Sequence, residues 1–259
     1  MEYLEPAAAR RHKGMRLVLT AGVPGPWGEA AKAIFDLKGI AYRPVRQTAG
    51  EADPALLEWT GHANAPQAVL DDEPARTGWA EILLLAERLA PTPSLIPEPP
   101  HDRALMFGLG FEICGEDGLG WHRRLQIMDA MLSSPGAEQN PQFETGRTLA
   151  RRYGYSREAA SRSNRRVRAI LELFTEQLAR QAQKGSEYLV GDRLSAVDVY
   201  WSTFAAMLRP LPHELCPMPA PMRASYEMLP PEVAAAVDPS LLAHRDRIYQ
   251  KHLKLPVEF

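Results

Sequence analysis

The stretch from Arg16 to Val45 carries the groups best spaced for binding chemistry, and they belong to the backbone. A short apolar run, Leu17-Val18-Leu19, ends at Thr20, and Pro24-Gly25-Pro26-Trp27 follows. Gly25 and Pro26 suit the N-cap and first residue of a helix. That helix would aim the N–H groups of Trp27 and Gly28 past the end of a buried strand, a place suited to an anionic ligand group. The loop offers no cysteine, serine or tyrosine. Thr20 is the one nearby hydroxyl, a weak catalytic candidate, since a hydroxyl there more often points into the sheet or caps the loop. Glu29, close by, works against a bound anion.

Other chemistry-bearing residues are scattered. Cys114 and Cys216 are the only cysteines, so there is neither a disulfide framework nor a C-x-x-C redox pair. His213-Glu214-Leu215-Cys216 lacks a second pair of ligands, and no metal site is expected. Ser195-Ala196-Val197-Asp198 has the spacing of a capping box, with the hydroxyl accepting from the Asp198 amide and the carboxylate accepting from the Ser195 amide. Between Arg147 and Arg168 stand eight arginines and one acid, Glu158. This is either a solvated helix face balanced by acids elsewhere or an anion-binding patch.

The elements that must position these groups follow from periodicity. Leu17–Leu19 reads as a buried strand, and Trp27, Ala30, Ala31, Ile34 and Phe35 fall on one face of a helix stopped at Lys38-Gly39. Ala41–Arg46 and Ala68–Leu70 read as further strands, with a weak fourth between Pro74 and Thr77 and a short helix over Ala55–Trp59. Trp79, Ile82, Leu83, Ala86 and Leu89 mark a third helix. These elements imply a small α/β sandwich over residues 15–91. Five prolines between 91 and 100 make a stiff linker over 92–100. Residues 101–259 then turn helical, with one stripe at Val167, Ile170, Leu171, Phe174 and Leu178 and another at Val197, Trp201, Phe204, Ala205 and Leu208. Gly108, Gly110, Gly115, Gly118 and Gly120 imply a kink or close packing in the helix that carries them. Residues 209–239 read as irregular, a last helix as spanning Pro239–Leu253, and residues 1–14 as a mobile extension.

Hydrophobic residues make up 45% and charged ones 24%, the balance of a soluble globular protein. A net charge of -2 argues against a mainly electrostatic nucleic-acid or membrane binder. No apolar run approaches the roughly 18–20 residues that span a bilayer. Residues 1–14 lack the apolar core of a secretory signal. The expected location is the cytoplasm.

A small α/β domain, a proline-rich linker and a helical domain together resemble the soluble glutathione transferases. Lys38-Gly39-Ile40 ends the first helix as in many members. Thr60-Gly61-His62-Ala63-Asn64-Ala65-Pro66 stands where the family has Asn-Pro-x-Gly-x-Val-Pro and keeps the final proline. The helix Gly78–Leu89 matches the one that carries the family's Glu-Ser pair. Tyr188–Asp198 resembles the family's buried capping motif, which assigns Ser195 and Asp198 a structural role.

The resemblance covers residues 15–208 and implies a thioredoxin-like N-terminal domain followed by an all-α C-terminal domain. It further implies glutathione as co-substrate or ligand, a cytoplasmic homodimer, and a small-molecule partner. Anchored at Lys38-Gly39, the family's cysteine falls on Gly25, its tyrosine on Ala21, and its serine near Pro24 or Gly25; all three activating side chains are absent. The expected glutathione contacts are Gly25, Trp27, the backbone of Ala65 before a cis Pro66, and Gly78-Trp79 in place of the Glu-Ser pair; Arg76 is either an exposed, solvated arginine or a substitute ligand for the carboxylate. Phe111, Cys114, Trp121 and His122 are expected to wall the hydrophobic-substrate side. Two functions follow as alternatives. One is attack of the glutathione thiolate on a small apolar electrophile, activated by the Trp27 and Gly28 amides and Thr20. The other is a non-catalytic protein that binds a ligand or a protein in a degenerate cleft. A third, less developed, is an enzyme that uses a cleft reshaped by Trp27 and Trp79 for a substrate other than glutathione.

Overall fold

The computed structural model describes residues 1–134, 136–137 and 143–259. Three strands form one sheet: β1 (Met15–Thr20) lies between β2 (Arg43–Gln47), to which it is parallel, and β3 (Gln67–Leu70), to which it is antiparallel. With it run α1 (Pro6–Ala9), α2 (Pro26–Leu37), α3 (Pro54–Thr60) and α4 (Trp79–Leu89). The weak fourth strand is reduced to a bridge in which Ala68 and Arg76 exchange two backbone hydrogen bonds of 2.9 Å. Pro74 shortens that edge, since it has no N–H to extend a ladder.

The alternation along β1 divides the sheet's two faces. Leu17 and Leu19 join the main core with Ala30, Ile34 and Phe35 of α2 and Ile82, Leu83 and Ala86 of α4. Val18 points the other way, onto Val45, Ala9 of α1 and Leu56 of α3. Residues 1–14 are therefore no loose extension. Leu4 bridges to Val45 of β2, and Ala9 is wholly buried. The segment supplies few apolar side chains, so its docking leaves little trace in the sequence pattern.

Lys38 does more than end α2. Its Nζ is buried and meets Glu87 at 2.8 Å and the carbonyls of Ala90 and Pro93 at 2.7 and 2.8 Å. Glu87 in turn accepts from the Leu95 amide at 2.8 Å. An ion pair with its remaining valences filled by main-chain groups is the condition under which buried charge is tolerated. It pins the proline-rich segment to the first layer of helices.

Beyond that segment come α5 (Pro100–Cys114), α6 (Leu119–Leu132), α7 (Glu144–Arg152), the long α8 (Arg157–Gln183) and α9 (Ala196–Phe204). After them stand α10 (Ala220–Glu227), α11 (Pro231–Ala236) and α12 (Pro239–His252). The glycine-rich stretch breaks between Cys114 and Leu119, so it forms two helices. Residues 209–239 are less irregular than expected, because they hold α10 and α11. Tyr226 of α10, with Met218 and Cys216, packs on Tyr249 and Val257 in a second small core. Short helices opened by prolines carry too little periodicity to be read from sequence. The arginine-rich stretch is largely a paired face: Arg147, Arg151, Arg162, Arg166 and Arg168 each meet a glutamate.

The capping motif is buried at the centre of the helical layer. Half of the expected box forms at the start of α9: the carboxylate accepts from the Ser195 amide, but the Asp198 amide donates to the Ser195 carbonyl at 3.1 Å, and the Ser195 hydroxyl donates to the carboxylate instead of accepting. Asp198 is fully buried and accepts from the Ser195 amide (3.0 Å) and hydroxyl (2.9 Å), the Leu189 amide (2.8 Å) and His244 Nε2 (3.0 Å). Arg247 donates to His244 Nδ1, which leaves Nε2–H as the donor toward Asp198. One carboxylate thus ties the loop before α9 to α12. Among the described residues no helix is long and apolar enough to cross a membrane.

Candidate active site

A cavity of about 500 Å³ opens between the first layer, with α2 and α4, and the helical layer. Strand β1 delivers Leu19 and Thr20 to its floor, the loop to α2 delivers Gly25, and α2 itself delivers Trp27, Gly28 and Glu29. The Ala65–Pro66 peptide is cis and lines the opposite wall, with Gly78 and Trp79 beside it. Phe111, Cys114 and Trp121 close the side toward α5 and α6. Residues expected from four separate segments therefore line one cavity.

The chemistry of each differs. Helix α2 begins at Pro26 with Gly25 as a cap that has no side chain to offer; its carbonyl takes the Glu29 amide at 2.9 Å, and no side chain of the cap reaches the Trp27 and Gly28 amides. Thr20 is in place, but its hydroxyl donates to Gln47 Oε1 at 2.8 Å, and Gln47 is oriented by its own bond to the Thr48 carbonyl at 2.7 Å. A hydroxyl whose proton is committed there is a poor donor to a thiolate. Cys114 is buried, and burial pushes its thiol well above the ordinary range.

The two indoles are structural wedges. Trp27 donates Nε1–H to the Cys114 carbonyl at 2.8 Å and meets Phe204 edge-on at 4.8 Å. Trp79 meets Tyr200 edge-on at 5.3 Å and Phe107 at 6.3 Å. Small residues make room for them. A Cβ on Gly120 would stand 2.7 Å from the Trp27 ring, and one on Gly110 would stand 2.9 Å from the Trp79 ring.

At the start of α4, the Gly78 amide is already used. Glu81 reaches back and accepts from Gly78 N–H at 3.0 Å and, more weakly, from Thr77 N–H at 3.3 Å. A second carboxylate at that helix end would meet a charge of its own sign. Arg76 does not enter the cavity; its guanidinium meets Glu73 at 2.8 Å. His122 also lies elsewhere, buried between Ser163 Oγ at 2.9 Å and Asp117 at 2.7 Å. Its neighbour Trp121 takes the cavity side because successive helical residues lie on different faces.

Glu29 is the least expected feature. Its carboxylate lies 2.8 Å from Lys32 Nζ, yet burial outweighs that pairing and raises its pKa to about 7. Lys32 is shared with the Glu258 carbonyl, which brings the chain's last residues over the cavity, and Phe259 lines it. Sequence reasoning also missed Tyr3, Gln47, Asn64, Arg124, Leu149, Arg152 and Tyr153 in the wall. Tyr3 and Gln47 come from segments the sequence does not mark, Asn64 and Arg124 lie beside the expected Ala65 and Trp121, and Leu149, Arg152 and Tyr153 lie in the arginine-rich stretch. Among the described residues no group of three or more His, Cys, Asp or Glu side chains could hold a metal ion.

A family model described as glutathione S-transferase, C-terminal domain, matches residues 134–221. No curated protein sequence matches the chain. Among solved structures, a glutathione S-transferase from Xanthobacter autotrophicus Py2 is similar at 18% identity and a TM-score of 0.59, covering 93% of this chain and 96% of its own. A glutathione S-transferase domain-containing protein from Marinobacter aquaeolei VT8 is similar at 18% identity and a TM-score of 0.61, with coverage of 91% and 98%. A glutathione S-transferase from Methylobacterium radiotolerans JCM 2831, in complex with glutathione sulfonate, is similar at 17% identity and a TM-score of 0.57, covering 92% of each chain. At such identities the likeness is one of fold: a thioredoxin-like N-terminal domain followed by an all-α C-terminal domain.

Proposed function

Taking this chain as a glutathione S-transferase-like protein by fold, we propose that its cleft binds glutathione largely through backbone groups and conjugates it to a small electrophile. The observation that carries the reading is the meeting, in one cavity, of the start of α2 and the Ala65–Pro66 backbone. The Ala65 N–H and C=O can pair with the cysteinyl part of the tripeptide, a contact that side-chain change leaves alone. The thiol then comes toward the Trp27 and Gly28 amides. A free thiol ionises near pH 8.5, and N–H donors with the helix dipole favour the thiolate. With an aryl halide, the sulfur forms a bond to the ring carbon, the halide departs with its electron pair, and the thiol proton goes to solvent.

Ionised Glu29 opposes this thiolate, and Thr20 adds no proton. Both facts favour slow turnover and give weight to a second reading, a ligand-binding protein without catalysis. The proposal includes a cytoplasmic homodimer, the common assembly of the family it resembles. Calorimetry with glutathione, followed by turnover of 1-chloro-2,4-dinitrobenzene, separates the readings. Saturable heat with thiol-dependent turnover supports the transferase, heat without turnover the second reading, and no heat at millimolar glutathione sinks the first.

A further inference from the structure

One end of the cavity holds positive charge that the glutathione reading does not use. There Trp121 and Tyr153 lie with ring centroids 4.8 Å apart, and Leu149, on the helix just before Tyr153, also lines the cavity. Arg124 lines the same end. Its guanidinium donates to the Tyr226 hydroxyl at 3.4 Å, lies 5.8 Å from the centroid of that ring, and stands beside the Tyr153 phenol. Its Nε is buried with no partner, and no carboxylate pairs with it among the described residues. Arg152, exposed on the rim, also lines the cavity and has no ion pair among the described residues.

The two acids that line the cavity do not answer this charge. Glu29 is held by Lys32, and Glu116 is exposed on the loop after α5; neither pairs with Arg124 or Arg152 among the described residues. Arg123, next in sequence, is satisfied by the carbonyls of Met207, Tyr226 and Met228. Arg124 has only phenols, which satisfy donors without neutralising charge. A guanidinium half withdrawn from water and lacking a counter-ion is costly, and a ligand that supplies one relieves that cost.

We propose that this end of the cleft selects ligands that join an aromatic ring to an acidic group, the acid on Arg124 and Arg152 and the ring against Trp121 and Tyr153. The planar fork of arginine suits a carboxylate or sulfonate. The inference rests on the transferase reading of the cleft and names the class of its second substrate.

The test is calorimetry without glutathione, comparing 2-naphthoate with its neutral isostere 2-naphthamide. The acid binds at least ~10-fold more tightly, a difference of about 1.4 kcal/mol. Arg152→Glu, on the surface, cuts that preference to about 3-fold or less, and Arg124→Met removes it. The Arg152 variant alone decides the matter if the Arg124 variant does not fold. Equal affinity for the two ligands, a preference that survives Arg152→Glu, or no heat from naphthoate at millimolar concentration overturns the proposal. A separate titration with glutathione distinguishes the two readings. Naphthoate selectivity without glutathione binding overturns the transferase reading and leaves the acid-selective pocket standing.

Discussion

Replacing Glu29 by glutamine should make the protein more stable at alkaline pH, although it removes an ion pair. The carboxyl is raised from its ordinary 4.5 to about 7 because burial disfavours its charge more than Lys32, 2.8 Å away, favours it. Each tenfold change in an ionisation constant is worth about 1.4 kcal/mol, so holding the ionised form above pH 7 costs about 3 kcal/mol. Well below pH 4.5 the group is protonated both folded and unfolded, and it exerts no cost. Between 4.5 and 7 the folded state holds the extra proton, so stability falls as pH rises through that window and stays low above it. The Glu29→Gln side chain keeps the shape of the neutral acid, and Lys32 retains the Glu258 carbonyl. Urea denaturation should therefore find this variant about 2–3 kcal/mol more stable at about pH 8.5 and equal to the parent near pH 4, with the slope between removed. A variant less stable than the parent at alkaline pH would refute the reasoning, because the pair with Lys32 would then be net stabilising.

Two further substitutions probe the frame of the site. Asp198→Ala strands two main-chain amides and the His244 N–H in a fully buried setting, and should cost about 3–5 kcal/mol in the same denaturation assay; a loss under about 1 kcal/mol would show that water replaces the carboxylate. Trp79→Ser empties the space between Gly110, Phe107 and Tyr200, and should cost about 2–4 kcal/mol with no gain in calorimetric glutathione affinity. Tighter glutathione binding with unchanged stability would mean that the indole obstructs the pocket after all.

The fold was legible because its signals are local. Leu17–Leu19, the α2 stripe from Ala30 to Phe35, and Ser195–Asp198 each state their role within a dozen residues, and the structure assembles them as the resemblance implies. The candidate site was only half legible. Gly25, Trp27, Ala65, Pro66, Gly78 and Trp79 sit in positions fixed by neighbouring elements, so they could be placed. Arg124, Tyr153 and Phe259 reach the cavity only through the packing of α6 on α7 and α8 and the path of the last residues. No periodicity records such an encounter. His122 failed for a related reason: the residue type suggested chemistry, but the helical phase of α6 turned it toward Ser163.

The phase of the indoles changes what the helix start can do. Read as sequence, Trp27 and Trp79 intrude where small residues would open a pocket. In the structure each leaves its helix at the first turn and locks into the helical layer, Trp27 against Cys114 and Gly120 and Trp79 against Gly110 and Tyr200. The start of α2, the one of the two whose leading amides no side chain caps, is thereby braced by the layer opposite it. Fixed dipoles stabilise developing charge without reorganising, and their effect depends on being held in place. In the proposed transferase, a site with no activating side chain has only that resource. On that reading, Trp27, which as sequence intrudes on the pocket, is the residue that braces its backbone donors against the helical layer.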